Sequence, residues 1–169
     1  MLYIDEVKPD RIISLWNRSI GERFPMTNEL WKQNTIDDKS IMREASLAIV
    51  DGANLLGFIV AKRPEGHNEM ATQKMGWIQC LLVNENARNR GIGKQLLECA
   101  EEEFRKQGIT DIRLGRDMRH YFPGVPAEDT GSIAWFTKRG YMCETVETDL
   151  IANVKDWKPY ELENGLQHF

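Results

Sequence analysis

Arg88-Asn89-Arg90-Gly91-Ile92-Gly93 stands between an apolar run and a long amphipathic segment, and its reading decides the fold. The run before it, Gly76-Trp77-Ile78-Gln79-Cys80-Leu81-Leu82-Val83, is apolar at nearly every position, the pattern of a strand covered on both faces in mid-sheet. After it, Ile92, Leu96, Leu97, Ala100 and Phe104 fall on one helical face, with Glu98, Glu101, Glu102, Arg105 and Lys106 opposite and Gly108 as the stop. The six residues therefore join a buried strand to a docked helix. The first turn of a helix offers amides without intrahelical partners and about half a unit of positive charge, and two glycines let a ligand approach the backbone. In that setting the stretch reads as a cradle for a phosphate or pyrophosphate. Taken alone, the same glycine spacing also suits an ordinary strand-to-helix turn.

Two phosphate loops are excluded by spacing. A Walker-type loop needs Gly-x-x-x-x-Gly-Lys followed by Ser or Thr, but Arg88 holds the first Gly position and Gln95 the hydroxyl position. A dinucleotide fingerprint beginning at Gly91 needs a third Gly where Leu96 stands, and that side chain blocks the close helix packing glycine permits. What remains is Arg-x-x-Gly-x-Gly. Here the chain resembles the GNAT superfamily of acyl-CoA N-acyltransferases, whose cofactor-binding signature is Gln or Arg, two residues, Gly, one residue, then Gly or Ala. Residues 83–97 fit it throughout.

The resemblance extends in both directions. Residues 45–52 and 54–61 read as two strands joined by a tight turn at Asp51-Gly52-Ala53-Asn54, like the hairpin that precedes the family's cofactor strand. Residues 111–115 read as a further strand, 132–141 resemble the family's late helix ending in Gly-Tyr, and a last strand or strand pair is expected at 142–154. Helices are expected at 10–21 and 27–34, a polar hairpin loop at 64–69 and a tail at 158–169, leaving 1–157 as one domain. The implied fold is a single α/β domain with a mixed, mainly antiparallel central sheet flanked by about four helices.

The resemblance also implies roles. Acetyl-CoA is the implied co-substrate, with the backbone of Leu81, Leu82 and Val83 hydrogen-bonding its pantetheine arm like an added strand and supporting the developing oxyanion. Its pyrophosphate falls to Arg88, Asn89, Arg90, Gly91, Ile92, Gly93 and Lys94, and the late helix is implied to meet it through Ser132 and Phe136. Many members carry a Tyr four residues before the Gly of the late helix, as acid for the departing thiolate, and a carboxylate base on the cofactor strand. Those positions hold Phe136 and Gln79 here. Substitutes are sought in the long segment after the strand at 111–115, where Tyr121 is the candidate acid and Asp117 or His120 the candidate base or amine clamp. The same residues also suit a packed aromatic plug and a capped turn.

The acceptor amine is expected near the first two helices, with Glu22 and Glu29 attracting an ammonium group and Phe24 and Gln79 lining its path; these aromatic residues equally suit the core. Cys80 as an acyl-carrying nucleophile has no histidine near it in sequence, and the buried inert thiol is the preferred reading. At 169 residues, with 41% apolar and 28% charged, the chain can bury one core, and its net charge of −4 disfavours nucleic acid as a partner. The three cysteines and three histidines have no metal-ligand spacing, so no metal is expected. No apolar run approaches the ~20 residues of a membrane span and no leader pattern opens the chain, which points to a cytoplasmic enzyme acting on a small-molecule or peptide amine. A homodimer is compatible with this reading. The alternatives are an acyl-CoA-binding sensor without turnover and an unrelated nucleotide binder.

Overall fold

The computed structural model describes residues 1–65, 74–148 and 155. Five strands form one sheet in the order β1 (Leu2–Tyr3), β2 (Leu47–Asp51), β3 (Asn54–Lys62), β4 (Met75–Val83), β5 (Asp111–Leu114). The first three pairings are antiparallel and β4–β5 is parallel, so the sheet is mixed and mainly antiparallel as the sequence implied. A parallel neighbour requires a crossover, and α3 (Ile92–Lys106) supplies it. The remaining helices are α1 (Pro9–Ser19), α2 (Asn28–Trp31) and α4 (Thr130–Thr137).

Alternation along β3 and β4 divides the core in two. Phe58, Val60 and Cys80 face α1 and α2, packing with Ile12, Leu15, Trp16 and Trp31. Ile59, Ala61 and Ile78 face the other way, against Leu96, Leu97, Ala100 and Phe104 of α3. The helical face read for α3 is thus the buried one. Its closest approach to the sheet is at Gly76, where a Cβ would lie 2.4 Å from the buried Phe104 ring. Gly76→Ala should therefore destabilise the fold by about 1–3 kcal/mol through overpacking. Equilibrium denaturation checks this, and a further Phe104→Leu exchange should recover part of the loss.

Two irregularities shape the functional region. Along β3–β4, Val60 pairs with Cys80 but Ala61 pairs with Ile78, so Gln79 is an extra residue bulged out of the ladder. Beyond α2 the helix widens into a π-type turn at Lys32–Ile36. That turn departs from the uniform helix expected over 27–34, because it swings Thr35 fully inside, beneath Gln79.

The described part of the expected last strand is not a strand. Residues 142–148 are exposed and make no ladder bonds; side-chain contacts of Arg116 with Thr145 (3.2 Å) and Glu147 (2.8 Å) tether them instead. The remainder of that span, most of the 64–69 loop and the 158–169 tail lie outside the described residues.

Candidate active site

The loop from β4 to α3 is built from local turns. Asn84 closes a single 3₁₀ turn at Glu85–Ala87 by accepting the Asn86 amide (3.1 Å). Asn89 and Gly91 then take left-handed conformations, φ +59° and +82°, and the helix begins. No side chain caps it, and its first helical bond runs from the Gln95 amide to the Gly91 carbonyl (2.9 Å). The Ile92, Gly93 and Lys94 amides precede that bond and have no hydrogen-bond partner among the described residues. A Cβ at Gly91 would meet nothing within 4 Å, so the space before these amides is open. Arg88, Arg90 and Lys94 are exposed around it; Lys94 pairs loosely with Glu98 (3.6 Å).

The strand feeding this loop has an unpaired side. The β5 ladder ends at Ile78–Leu114, and the Gly115 amide makes the last bond, to the Ile78 carbonyl (2.9 Å). Gly115 and Arg116, both left-handed (φ +66° and +63°), then turn the chain away. From Cys80 to Val83, β4 pairs along its backbone only with β3 among the described residues, and the Arg88 Nε reaches the Val83 carbonyl at 3.4 Å. The opening leads straight to the amides of α3. Beside it, Trp135 of α4 approaches Gly93, where a Cβ would lie 3.3 Å from Val83 and 3.5 Å from the Trp135 ring. Trp135 escaped the sequence reading, although it immediately precedes Phe136. Phe136 itself packs between Trp135 and Tyr141, and Ser132 is tied to Asp129 at the start of α4 (2.6 Å).

On the other face of the sheet, the bulge anchors a buried polar network. Gln79 is fully buried and donates to the carbonyls of Asn34 (3.1 Å) and Arg119 (2.9 Å). Its Oε1 accepts from the Thr35 hydroxyl (3.2 Å), which uses the only proton Thr35 has. The Tyr121 hydroxyl must then donate to Thr35 (2.7 Å). Tyr121 lies edge-on to Trp16 and parallel to Trp31, and burial pushes its hydroxyl pKa well up.

Next to it, Lys62 is completely buried and holds Asp117 (2.7 Å) and Asp38 (2.9 Å). Burial alone would raise the Asp38 pKa, but the Ser40 amide and hydroxyl and the Lys62 ammonium outweigh it and leave it lowered. Asp117 Oδ1 also accepts the Arg119 amide (3.1 Å), while its Oδ2 is enclosed without a partner. The exposed His120 sets its Nδ1 2.8 Å from the Asp117 carbonyl; since a carbonyl only accepts, Nδ1 is the donor, and the neutral ring has its lone pair on Nε2.

Of the residues considered for the acceptor, Glu22 is exposed and Phe24 is half-buried against Phe122 (5.5 Å). Glu29 opens α2, its pKa lowered by its own backbone amide and the Thr27 hydroxyl. Burial raises the Cys80 thiol pKa far above the usual range, which keeps it protonated. Among the described residues no cluster of His, Cys, Asp and Glu is placed to hold a metal, and no helix is long and apolar enough to cross a membrane.

Solved structures share this fold. A GCN5-related glucosamine N-acetyltransferase region in a fungal multi-domain GH3 β-N-acetylglucosaminidase superposes with a TM-score of 0.71 at 24% identity, over 85% of this chain and 17% of that one. The present chain thus spans a small part of that protein. The ribosomal-protein-S18-alanine N-acetyltransferase of Escherichia coli gives 0.59 at 14% identity, over 79% and 73% of the two chains. A chain of the NatC complex bound to Gag peptide and CoA gives 0.62 at 18%, over 83% and 82%. A search among curated proteins returns no match. The sequence pattern of the Acetyltransferase (GNAT) family matches residues 12–141, and with the mixed sheet and the strand–loop–helix cradle in place, this chain belongs to that family.

Proposed function

We propose that this protein is an N-acetyltransferase that moves the acetyl group of acetyl-CoA onto a primary amine of a small molecule or peptide, by direct attack in a ternary complex. The observation that carries the reading is the unpaired side of β4, which runs directly into the uncapped amides of α3. An extended amide-bearing arm is complementary to the first, at Leu81, Leu82 and Val83, and a pyrophosphate to the second, at residues 88–94. Open space at Gly91 and three exposed cations fit that group.

In the reaction the amine nitrogen attacks the thioester carbon, the carbon–sulfur bond breaks with its electrons going to sulfur, and the amine loses a proton. Positioning two reactants in one cleft supplies much of such a rate. The thiol is a tolerable leaving group, with a pKa of about 8.5 or somewhat above. Tyr121, whose proton is donated to Thr35, and Asp117, held by Lys62, act in this scheme by fixing the loop. His120, with a free Nε2 on an exposed ring, is the proposed base.

Thiol release from acetyl-CoA tests the proposal. The panel covers glucosamine, aminoglycosides, peptides with N-terminal alanine and polyamines, partly following what the structural relatives are named for. Release above background is expected with at least one amine, and His120→Ala should lower its maximal rate at least about tenfold while leaving acetyl-CoA affinity unchanged. Tight CoA binding with no release for any amine would instead mark an acyl-CoA sensor, a reading favoured by Phe136 and Gln79 at the usual acid and base positions. Preference for ATP or NAD over CoA would defeat both readings.

A further inference from the structure

Away from the cleft, α1 and the β2–β3 turn border an open recess of about 320 Å³ with a mixed polar and apolar lining. Arg11, Ser14 and Arg18 recur at helical spacing along one stripe of α1, which borders the buried face of Ile12, Leu15 and Trp16. Ala53, Asn54 and Leu55 of the hairpin and Asn84 form the facing wall, and Asp10 stands at the rim. The recess lies on the α1 side of the sheet, whereas the amides of α3 belong to the element packed on the opposite face. Nothing in the acyl-transfer reading uses it.

Its electrostatics are unbalanced. Arg11 donates from Nη2 to the Ala53 carbonyl (2.7 Å), and Arg18 from Nη1 to the Ser14 hydroxyl (2.8 Å). Neither pairs with a carboxylate among the described residues, Asp10 included, although the chain as a whole carries net charge −4. The Arg11 Nε is enclosed and has no acceptor at all. That nitrogen is closed off by protein, so a ligand would meet the outer nitrogens of the two guanidiniums, neither of which a carboxylate neutralises among the described residues. Such donors suit the oxygens of a phosphate or carboxylate.

We propose that this recess binds a small molecule through an oxyanion, held between Arg11 and Arg18, with the Asn54 and Asn84 side chains contacting the rest of it. A recess of this volume suits a metabolite-sized ligand. Asn84 also opens the turn that leads to the Gly91 loop, which makes the recess a neighbour of the donor site without being part of it.

Arginine Nε–H resonances of the full chain, titrated with inorganic phosphate and separately with citrate at constant ionic strength, test this site by site. Saturable shifts of both the Arg11 and Arg18 signals are expected with at least one probe, the stronger response telling phosphate from carboxylate chemistry. Arg18→Ala removes an exposed side chain whose only bond is to Ser14, and it should weaken that binding by about tenfold or more. The proposal is overturned by arginine signals that do not saturate, by equal affinity in Arg18→Ala, by a response to acidic peptides but to neither probe, or by shifts confined to the Ile92, Gly93 and Lys94 amides.

Discussion

Gly91→Asp is expected to abolish binding of coenzyme A, lowering affinity by about a hundredfold or more, since like charges brought together in a desolvated site cost several kcal/mol. The substituted carboxylate would project into the open space before the Ile92, Gly93 and Lys94 amides, where the pyrophosphate is proposed to sit. Backbone strain alone gives a different result. Gly91 and Gly108 lie at the two ends of α3, both left-handed at φ +82° and +73°, both with nothing within 4 Å of a Cβ. Gly91→Ala and Gly108→Ala should therefore lose similar stability, about 1–2 kcal/mol each. Calorimetric titration with CoA should leave Gly108→Ala unchanged and give Gly91→Ala a far smaller loss than Gly91→Asp. Unaltered affinity in Gly91→Asp would sink the cradle assignment.

Lys62→Met should be the most destabilising single exchange, by about 3–5 kcal/mol, because it leaves the Asp117 carboxylate, 2% exposed, without its cation. For a chain of this size that lowers the melting temperature by about 10 °C or more. Adding Asp117→Leu to Lys62→Met should recover much of the loss, since an apolar pair of similar volume needs no compensation.

The pH dependence has a definite sign. Asp38 is held below its ordinary pKa in the folded state, so in the native protein it contributes stability that is present above about pH 3.9 and lost as pH falls through its lower folded value. In Lys62→Met the Asp38 carboxylate loses the ammonium that helps hold its pKa down, so the variant lacks part of that stability and its deficit shrinks on acidification. Denaturation of both proteins at neutral pH and below about pH 3.9 should show the gap narrowing; a gap constant with pH would mean Lys62 acts through packing alone.

The strand, loop and helix proposed to hold the donor were legible because their causes are local. An apolar run, a loop with glycine where φ is positive, and a helix with one apolar face are contiguous over residues 76–106, and each property is set within a few residues. The late helix and the hairpin were legible for the same reason. The acceptor side was not. Tyr121, Asp117 and His120 were recognised as titratable groups on a long segment, but their surroundings were invisible. Tyr121 meets Thr35 across 86 residues of sequence and Asp117 meets Lys62 across 55. Thr35 lies inside, in the π-type turn that follows α2, and Lys62 stands one residue past the run 54–61 read as a strand.

By itself, then, the sequence determined the main strands and helices, their order and the glycine-bearing strand–loop–helix unit, since these follow from periodicity and from which backbone conformations glycine permits, while the mixed sheet was implied by the family resemblance those segments carry. Tertiary structure alone decided which polar groups are committed. A one-residue bulge at Gln79 and the end of β5 pairing opposite Ile78 set which side chains are buried together and which backbone is left open. That is a matter of register between distant segments. It ties up Gln79, Tyr121 and Asp117, leaves the far side of β4 open, and brings Arg11 and Arg18 beside the hairpin turn with no carboxylate paired to them among the described residues.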